Sequence, residues 1–270
     1  MKRPDTLEIS TLRQPAALPG RARPERLAAV RSLDLALAGL LLGVLILGIW
    51  HLDRYPRSWF DEGSYLETAQ NLVDNGTYAA TSADGTRDFA PVVAVGPTVI
   101  LPTAASLAVG GRSSLEAARI VPVIYLLFAT ALLYIVARAL FGRRSALLAL
   151  LMACSLPSLD WIVTGRQVLG EIPAVAFLLL GGIVAARQGG RQTAFIAGIV
   201  FGLTMITKGQ YLLVLPAAMV AVAALDRSGP RRHPLDWYLT LIVTAMTTYL
   251  LWIASLLVIV GEGDVVENFR

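Results

Sequence analysis

The stretch FAPVVAVGPTVILPTAASLAVGG, Phe89 to Gly111, decides how the whole chain is arranged. It carries no charged residue over 23 positions, yet three prolines and three glycines interrupt it, and we call it the proline-rich segment. Its length and lack of charge favour a helix that crosses a bilayer, whereas its prolines and glycines favour a re-entrant or interfacial segment. The choice fixes the side of the membrane on which every later residue lies.

The composition is that of an integral membrane protein with an all-α fold. Of the 270 residues, 56% are hydrophobic and only 16% are charged, and the mean hydropathy is +0.63. A soluble globular chain has about 25% charged residues. Because backbone groups in a bilayer must be hydrogen-bonded within their own segment, the long apolar runs predict a bundle of transmembrane helices. We place seven of them near residues 35–50, 117–137, 145–163, 172–186, 193–207, 210–225 and 237–260.

The distribution of basic residues decides between the two interpretations of the proline-rich segment, because Lys and Arg accumulate in short cytoplasmic loops. If the segment spans, the 23 basic residues divide into 12 inside and 11 outside, which is no bias. If the segment stays outside, 15 lie inside and 8 outside. We therefore predict a multi-pass protein of the cytoplasmic (plasma) membrane with a cytoplasmic N-terminus and seven spans.

This topology divides the chain into three parts. Residues 1–33 form a basic cytoplasmic tail, residues 34–260 form the transmembrane module, and residues 261–270 form an extracytoplasmic tail. The module includes a long first outer loop, 51–116, in which we expect interfacial helices. The N-terminal tail is too long and too polar for a cleaved signal peptide, so we expect the first apolar run to be a signal anchor. The net charge of +4 follows from this topology rather than from nucleic-acid binding.

Seven ionisable residues share the extracytoplasmic face in this topology. They are Asp61, Glu62, Asp88, Asp160, Arg166, Glu171 and Lys208. If the proline-rich segment crossed the bilayer, the last four would lie on the face opposite Asp61. The count of basic residues and the grouping of these side chains are separate observations, and both favour the same topology.

The stretch SWFDEGSYLETAQNLVDNGTY, residues 58–78, predicts an amphipathic helix that carries two of these acids. Ser58 is the expected N-cap, Asp61 and Glu62 fall in the first turn, and Asn75-Gly76 ends the helix. An apolar stripe of Tyr65, Ala69 and Leu72 suits a helix that lies on the membrane surface. The acidic pair is therefore either a helix cap or a functional site.

Two further motifs place charges at the ends of spans. In TGRQVLGEIPAVAFLLL, Glu171 stands at the mouth of the fourth span, Pro173 falls in its first turn, and Arg166 lies upstream. In GLTMITKGQYLLVLP, Lys208 lies in a short outer turn. The alternatives are a solvated acid for Glu171 and, for Lys208, an amine that extends to the lipid headgroups.

Histidine and cysteine give little support to metal or disulfide chemistry. His51 and His233 are far apart and have no neighbouring cysteine or histidine, which argues against a zinc site of the usual ligand spacing. Dependence on another divalent metal stays open. Cys154 is the single cysteine, so a disulfide within the chain is impossible.

These residue types suit the transfer of a sugar from a lipid phosphate. Inverting transfer needs a carboxylate that takes the proton of the acceptor hydroxyl while the anomeric carbon gains positive character. It also needs cations near the departing phosphate, because negative charge grows there as the bond breaks. An acidic pair on an interfacial helix would place a base at the depth of a lipid-linked sugar.

Taken together, the motifs resemble those of a known superfamily. The chain resembles the GT-C superfamily of polyprenyl-phosphate-sugar glycosyltransferases in four segments: FDEGSYLETAQNLVDNGTY, RDFAPVVAVGPTVILP, GRQVLGEIPAVAF and GLTMITKG. The resemblance is to the aminoarabinose-transferase-like and protein O-mannosyltransferase-like members. It extends from Leu35 to about Val260 and corresponds to the seven-helix module of that superfamily. The resemblance implies an inverting membrane enzyme of cell-envelope glycosylation that uses a polyprenyl-phosphate-linked sugar and a lipid, glycan or protein acceptor.

The resemblance also implies roles for single residues. Asp61 matches the first-loop acid that acts as the base on the acceptor, Glu62 completes the catalytic pair, and Glu171 matches the second acid, near the sugar. Lys208 and Arg166 resemble the basic groups that hold the donor phosphate. Asp88 is expected where the later part of the first loop approaches the substrate.

Other classes of function stay open from the sequence. A transporter or flippase for a polar lipid would also have many spans, but its ionisable groups would lie near the bilayer midplane. A non-catalytic membrane subunit would tolerate substitution of the outer-face acids. Members of the superfamily usually continue with more spans and an outer domain, whereas this sequence stops at GEGDVVENFR. A fragment, a truncated product and half of a two-chain enzyme are the alternatives.

Overall fold

A computed structural model describes residues 24–81, 85, 87–89, 94–156, 160–187, 189–228 and 233–260. The outer tail, 261–270, and most of the N-terminal tail lie outside the described residues. Within them the fold is a helix bundle, as predicted. Its helices are α1 (Pro24–Ile49), α2 (Phe60–Asn75), α3 (Pro97–Gly110), α4 (Leu115–Phe141), α5 (Arg143–Ser155), α6 (Trp161–Thr164), α7 (Glu171–Ala185), α8 (Arg191–Thr207), a 3-10 helix (Gly209–Leu213), α9 (Leu215–Ser228) and α10 (Leu235–Val260). Two short antiparallel strands, β1 (Ala80–Thr81) and β2 (Arg87–Asp88), form a hairpin after α2.

Two described helices are long and apolar enough to cross a membrane by length and composition, Leu115–Phe141 and Leu235–Ile259. Shorter apolar helices occupy most of the other predicted spans. The prediction of one helix over 145–163 is wrong, because α5 ends at Ser155 and a separate α6 begins at Trp161. Leu156 has an extended backbone and precedes Pro157, whose ring disfavours helical geometry at the residue before it.

The proline-rich segment contributes the helix α3. At about 1.5 Å per residue, its 14 residues measure roughly 21 Å, shorter than the roughly 30 Å hydrocarbon core. Pro102 inside α3 has no N–H for the carbonyl of Thr98, and the hydroxyl of Tyr125 on α4 donates to that carbonyl at 2.8 Å instead. The helix packs against α2 and α4. Its position relative to the membrane stays a prediction.

The helix α2 differs from the predicted surface helix in two respects. Trp59, not Ser58, is the N-cap, and the Ser58 hydroxyl accepts a hydrogen bond from Arg119 instead. The stripe of Tyr65 and Ala69 is buried in a core cluster with residues of α3, so it faces protein rather than lipid. The predicted end of the helix is confirmed. Gly76 follows Asn75 with a φ of 65°, and its N–H bonds back to Leu72 as in a left-handed cap.

Two glycines on α8 allow a close approach of α10, and this is the most extensive helix pair among the described residues. A Cβ on Gly198 would lie 2.6 Å from the Leu241 carbonyl oxygen, and one on Gly202 would lie 2.5 Å from the Thr248 Cβ. Spaced by four residues, they form the small-residue interface that membrane helices use to pack backbone against backbone. This pairing fixes the end of α8, where Lys208 follows.

Candidate functional site

Two backbone segments meet at Lys208. Val95 pairs with Lys208 as an antiparallel bridge, and the Gly96 N–H donates to the Thr207 carbonyl at 3.3 Å. A Cβ on Gly96 would collide with the carbonyl oxygen of Ile206. The φ of Gly96 is −89°, which any residue adopts, so glycine is needed there for space alone. The start of α3 is thereby held against the end of α8.

The start of α7 also packs against Thr207 and Lys208. A Cβ on Gly170 would lie 2.8 Å from the Thr207 carbonyl oxygen and 2.9 Å from the Lys208 Cδ. The next residue, Glu171, forms an ion pair with Lys208, with Oε1 2.9 Å from the Lys208 Nζ. The Lys208 side chain is 4% exposed and that of Glu171 is 41% exposed. The amine therefore does not extend to lipid headgroups, and that alternative for Lys208 is wrong.

Tyr65 of α2 also contacts Lys208. Its ring lies 5.8 Å from the Lys208 Nζ, within the range of a cation–π contact. Burial, and after it the charges of Asp61 and Glu171, raise the pKa of Tyr65 to about 12, so the phenol is neutral at physiological pH. Asp61 precedes Tyr65 by one turn and is exposed. We call Asp61, Tyr65, Glu171 and Lys208 the acid–lysine cluster.

Glu62, the neighbour of Asp61, occupies a different environment. Its side chain is fully buried and forms a two-pronged ion pair with Arg119 of α4, with Nε–Oε1 at 2.8 Å and Nη2–Oε2 at 2.6 Å. The Val168 N–H donates to the same Oε1 at 3.0 Å. Arg119 also donates to the Leu52 carbonyl at 3.0 Å and to the Ser58 hydroxyl at 3.3 Å. The sequence-based prediction made Glu62 catalytic, but this geometry favours a positioning role.

Arg166 lies beside this buried pair. Its guanidinium donates to the Trp50 carbonyl and stands 5.2 Å from the ring centre of Tyr55. Burial, together with the positive charge of Arg119, lowers the pKa of Arg166. The adjacent Gln167 donates to the Arg57 carbonyl at 3.1 Å. The contacts described for Arg166 are thus with the end of the first predicted span and with the first outer loop, whereas the predicted partner of its guanidinium was the donor phosphate.

Two predicted residues are placed only in outline. Asp88 lies in β2 opposite Ala80, and its side chain is outside the described part of the structure. The hairpin is bound to α2, since Asn71 donates to the Thr81 hydroxyl at 3.1 Å and the Thr81 N–H donates to Glu67 at 3.0 Å. Asp160 is exposed and immediately precedes α6. Among the described residues, no group of three His, Cys, Asp or Glu side chains that could hold a metal ion is found.

The structure brings five of the predicted residues to one end of the bundle. Tyr65, one turn after Asp61, faces Lys208, and Glu62 bonds to the loop that leads from Arg166 to Glu171. These five residues therefore lie near one another, whereas their extracytoplasmic orientation stays a prediction. Sequence reasoning missed Arg119, although a charged residue inside the apolar run of α4 needs a partner and was itself a signal. Tyr65 was assigned to the apolar stripe, so its contact with Lys208 was not foreseen.

The helical fold of the chain is similar to that of two solved structures. Crystal structures of ArnT from Cupriavidus metallidurans, one bound to undecaprenyl phosphate and one in the apo state, match with TM-scores of 0.60. Identity is 18% and 17% over 89% and 85% of this chain. The matches cover 43% and 42% of the ArnT chains, so this chain spans less than half their length.

The family follows from the sequence match. The family model described as dolichyl-phosphate-mannose-protein mannosyltransferase matches residues 95–252, more than half of the chain, and the chain belongs to this family. A search of curated proteins gives no match. The matched region begins at Val95 and includes α3, α4, α7, α8 and most of α10. The predicted resemblance to the GT-C superfamily is confirmed.

Proposed function

We propose that the protein transfers a sugar from a polyprenyl-phosphate donor to a lipid, glycan or protein acceptor at the extracytoplasmic face of the cytoplasmic membrane. Family membership and the GT-C fold support transfer of this kind, and one ArnT structure contains undecaprenyl phosphate. The observation that carries the proposal is the acid–lysine cluster. It combines an exposed carboxylate, a second half-exposed carboxylate and a buried lysine at one end of the bundle.

In the proposed reaction, Asp61 takes the proton of the acceptor hydroxyl. The acceptor oxygen forms a bond to the anomeric carbon from the face opposite the phosphate, and the bond from that carbon to the phosphate oxygen breaks. The electron pair leaves with the lipid phosphate, and Lys208 stabilises its growing negative charge. The exposure of Asp61 suits a group that must meet an acceptor from solvent.

Glu171 and Lys208 act as a pair in this proposal. Their 2.9 Å contact leaves two of the three ammonium protons for other acceptors, including a donor phosphate. The Glu171 Oε2 is buried and has no hydrogen-bond partner among the described residues, so it is available to a sugar hydroxyl. Neutral Tyr65 beneath Lys208 adds no negative charge that would repel the phosphate. Arg166 and Asp88 remain proposed substrate-binding residues.

Transport is disfavoured by where the charges lie. A transporter site is expected near the bilayer midplane on broken helices. Here Lys208 follows the end of α8, Glu171 begins α7, and Asp61 lies in the first turn of α2. Arg119, which does lie within a predicted span, is near the start of α4 and is fully paired with Glu62.

The experiment compares Asp61→Asn with Asp53→Asn, a matched control. Asp53 is an exposed acid of the same outer loop, and it is paired with its neighbour Arg54. Consumption of polyprenyl-phosphate sugars is measured on folded, detergent-solubilised protein. Asp61→Asn should lower turnover by a factor on the order of 10² to 10⁴, the usual contribution of a general base, while donor binding survives. Asp53→Asn should retain wild-type turnover.

A helix-cap role for Asp61 gives a different result. It predicts a stability loss of up to about 1 kcal/mol, with activity that follows the folded fraction. Normal turnover by folded Asp61→Asn would therefore refute the catalytic assignment. Glu171→Gln should affect donor binding as well as rate, because Glu171 contacts the phosphate-binding lysine. If the 270-residue chain is inactive alone, the same variants are compared in the longer chain or with the partner that completes it.

A further inference from the structure

We infer that Glu62 and Arg119 are positioning residues that hold the two acid-bearing segments in register, an inference that rests on the proposed function. Glu62 is adjacent to Asp61 on α2, and its Oε1 accepts the N–H of Val168, three residues before Glu171. One buried carboxylate therefore joins the segment of the proposed base to the segment of the second acid. A shift of Glu62 would move both acids relative to each other.

Arg119 holds that carboxylate from α4 and ties in the first outer loop. Its guanidinium bonds both oxygens of Glu62, and it also reaches the Leu52 carbonyl and the Ser58 hydroxyl. Every described partner of Arg119 lies outside α4, so the side chain connects three separate stretches of chain. We call Glu62, Arg119 and the N–H of Val168 the buried clamp.

Further contacts connect the same two segments. Gln167 donates to the Arg57 carbonyl at 3.1 Å and to the Glu62 Oε2 at 3.5 Å, and Arg166 donates to the Trp50 carbonyl. A Cβ on Gly165 would lie 2.7 Å from the Leu126 Cδ1, so the loop before α7 is pressed against α4. The loop 165–168 is therefore set by the first outer loop on one side and by α4 on the other.

The burial of Glu62 separates its role from that of Asp61. Both its side chain and that of Arg119 are 0% exposed. A general base must reach the proton that it removes, directly or through one water. A fully buried carboxylate that already accepts two guanidinium N–H groups, one backbone N–H and the Gln167 side-chain amide does not meet that condition. Replacement of buried ion pairs by apolar residues is often neutral for stability, so we expect variants without the clamp to fold.

The test compares two double variants that differ only at residue 62. In Glu62→Gln with Arg119→Met, the glutamine carbonyl can still accept the Val168 N–H. In Glu62→Met with Arg119→Met, that hydrogen bond is lost. Hydrogen exchange of residues 165–170 is measured by mass spectrometry in detergent without any donor, and turnover is measured separately. The exposed pair Asp74–Arg112, removed as Asp74→Met with Arg112→Met, is the control for loss of an ion pair.

The clamp predicts that the Gln–Met variant keeps wild-type exchange at 165–170 and keeps turnover within about tenfold. The Met–Met variant should exchange at least tenfold faster there and lose about 100-fold in turnover, since a misplacement of about 1 Å can cost that much. The control should leave exchange at 165–170 unchanged. If the Met–Met variant does not fold, Glu62→Leu with Arg119→Leu, which also removes the carboxylate, is used instead and should raise exchange in the same segment.

Two results would overturn the inference. Wild-type exchange at 165–170 in the Met–Met variant, or in the Leu–Leu variant where that one replaces it, would show that the carboxylate does not hold the loop. An equal loss of turnover in both double variants, with exchange preserved in Gln–Met, would show that the charge of Glu62 takes part in the chemistry. A wild type that is inactive alone and also in the longer chain or with a partner would refute the proposed function instead. The exchange measurement needs no donor and still decides whether the clamp exists.

Discussion

Gly170→Ala should disturb the acid–lysine cluster by a distance that the structure defines. The new Cβ would lie 2.8 Å from the Thr207 carbonyl oxygen, 2.9 Å from the Lys208 Cδ and 3.1 Å from a Val95 methyl. Ordinary contact begins near 3.4 Å, so the end of α8 must retreat by about 0.5 Å while Glu171, the next residue, stays with α7. The Lys208–Glu171 ion pair would lengthen or reorient.

Such overpacking typically costs about 1 to 3 kcal/mol of stability. A displacement of half an ångström at the reacting groups should lower turnover about tenfold, given that about 1 Å can cost 100-fold. The assay is donor consumption per folded molecule, together with the Tm in detergent. Gly182→Ala on the same helix is the control, because its Cβ would meet nothing within 4 Å and alanine favours the helix by about 1 kcal/mol. Unchanged Tm and turnover in Gly170→Ala would refute the described packing at Lys208.

Three further outcomes are expected. Lys208→Ala should weaken donor binding tenfold or more, as expected for loss of a charged hydrogen bond of about 1.5 to 3 kcal/mol, and Lys208→Arg should retain part of it; unchanged affinity in the alanine variant would remove Lys208 from the phosphate site. In a Cys154→Ser background, Arg87→Cys and Arg112→Cys should both react with an impermeant thiol reagent added outside, and labelling of the second only from the cytoplasm would mean that the proline-rich segment crosses the bilayer. The pKa of Tyr65 is raised from 10.0 to about 12, so the neutral phenol contributes fully to the free energy of unfolding below pH 10. That contribution is lost as the pH rises to about 12. Tyr65→Phe should therefore reduce the loss of Tm over that interval, and an identical pH profile would contradict the burial of the phenol.

Hydropathy and charge distribution predicted most of the architecture. Apolar runs located the helices because a bilayer leaves the backbone few alternatives, and the count of basic residues placed the first-loop acids on one face with Glu171 and Lys208. The ion pair between Glu171 and Lys208 joins residues 37 positions apart, and its formation follows from both lying at the same end of neighbouring helices.

The separation of Glu62 from Asp61 could not be read from the sequence. Adjacent residues on a helix point about 100° apart, so one acid of the pair faces solvent and the other faces the core. Which acid is buried depends on the position of Arg119, 57 residues later, and on the path of the loop at Val168. The end of the predicted third span at Ser155 was readable, since Pro157 follows closely.

The pairing of α8 with α10 also bears on the order in which the protein is assembled. Ribosomes deliver the N-terminal helices first, and the glycine face of α8 has its partner residues at 241–248, well beyond α9. We expect Gly198 and Gly202 to lack their packing partner during synthesis until α10 has entered the membrane. Lys208 follows directly from α8, so the acid–lysine cluster should mature as one of the last events of biogenesis, after the acids of α2 and α7 are already in place.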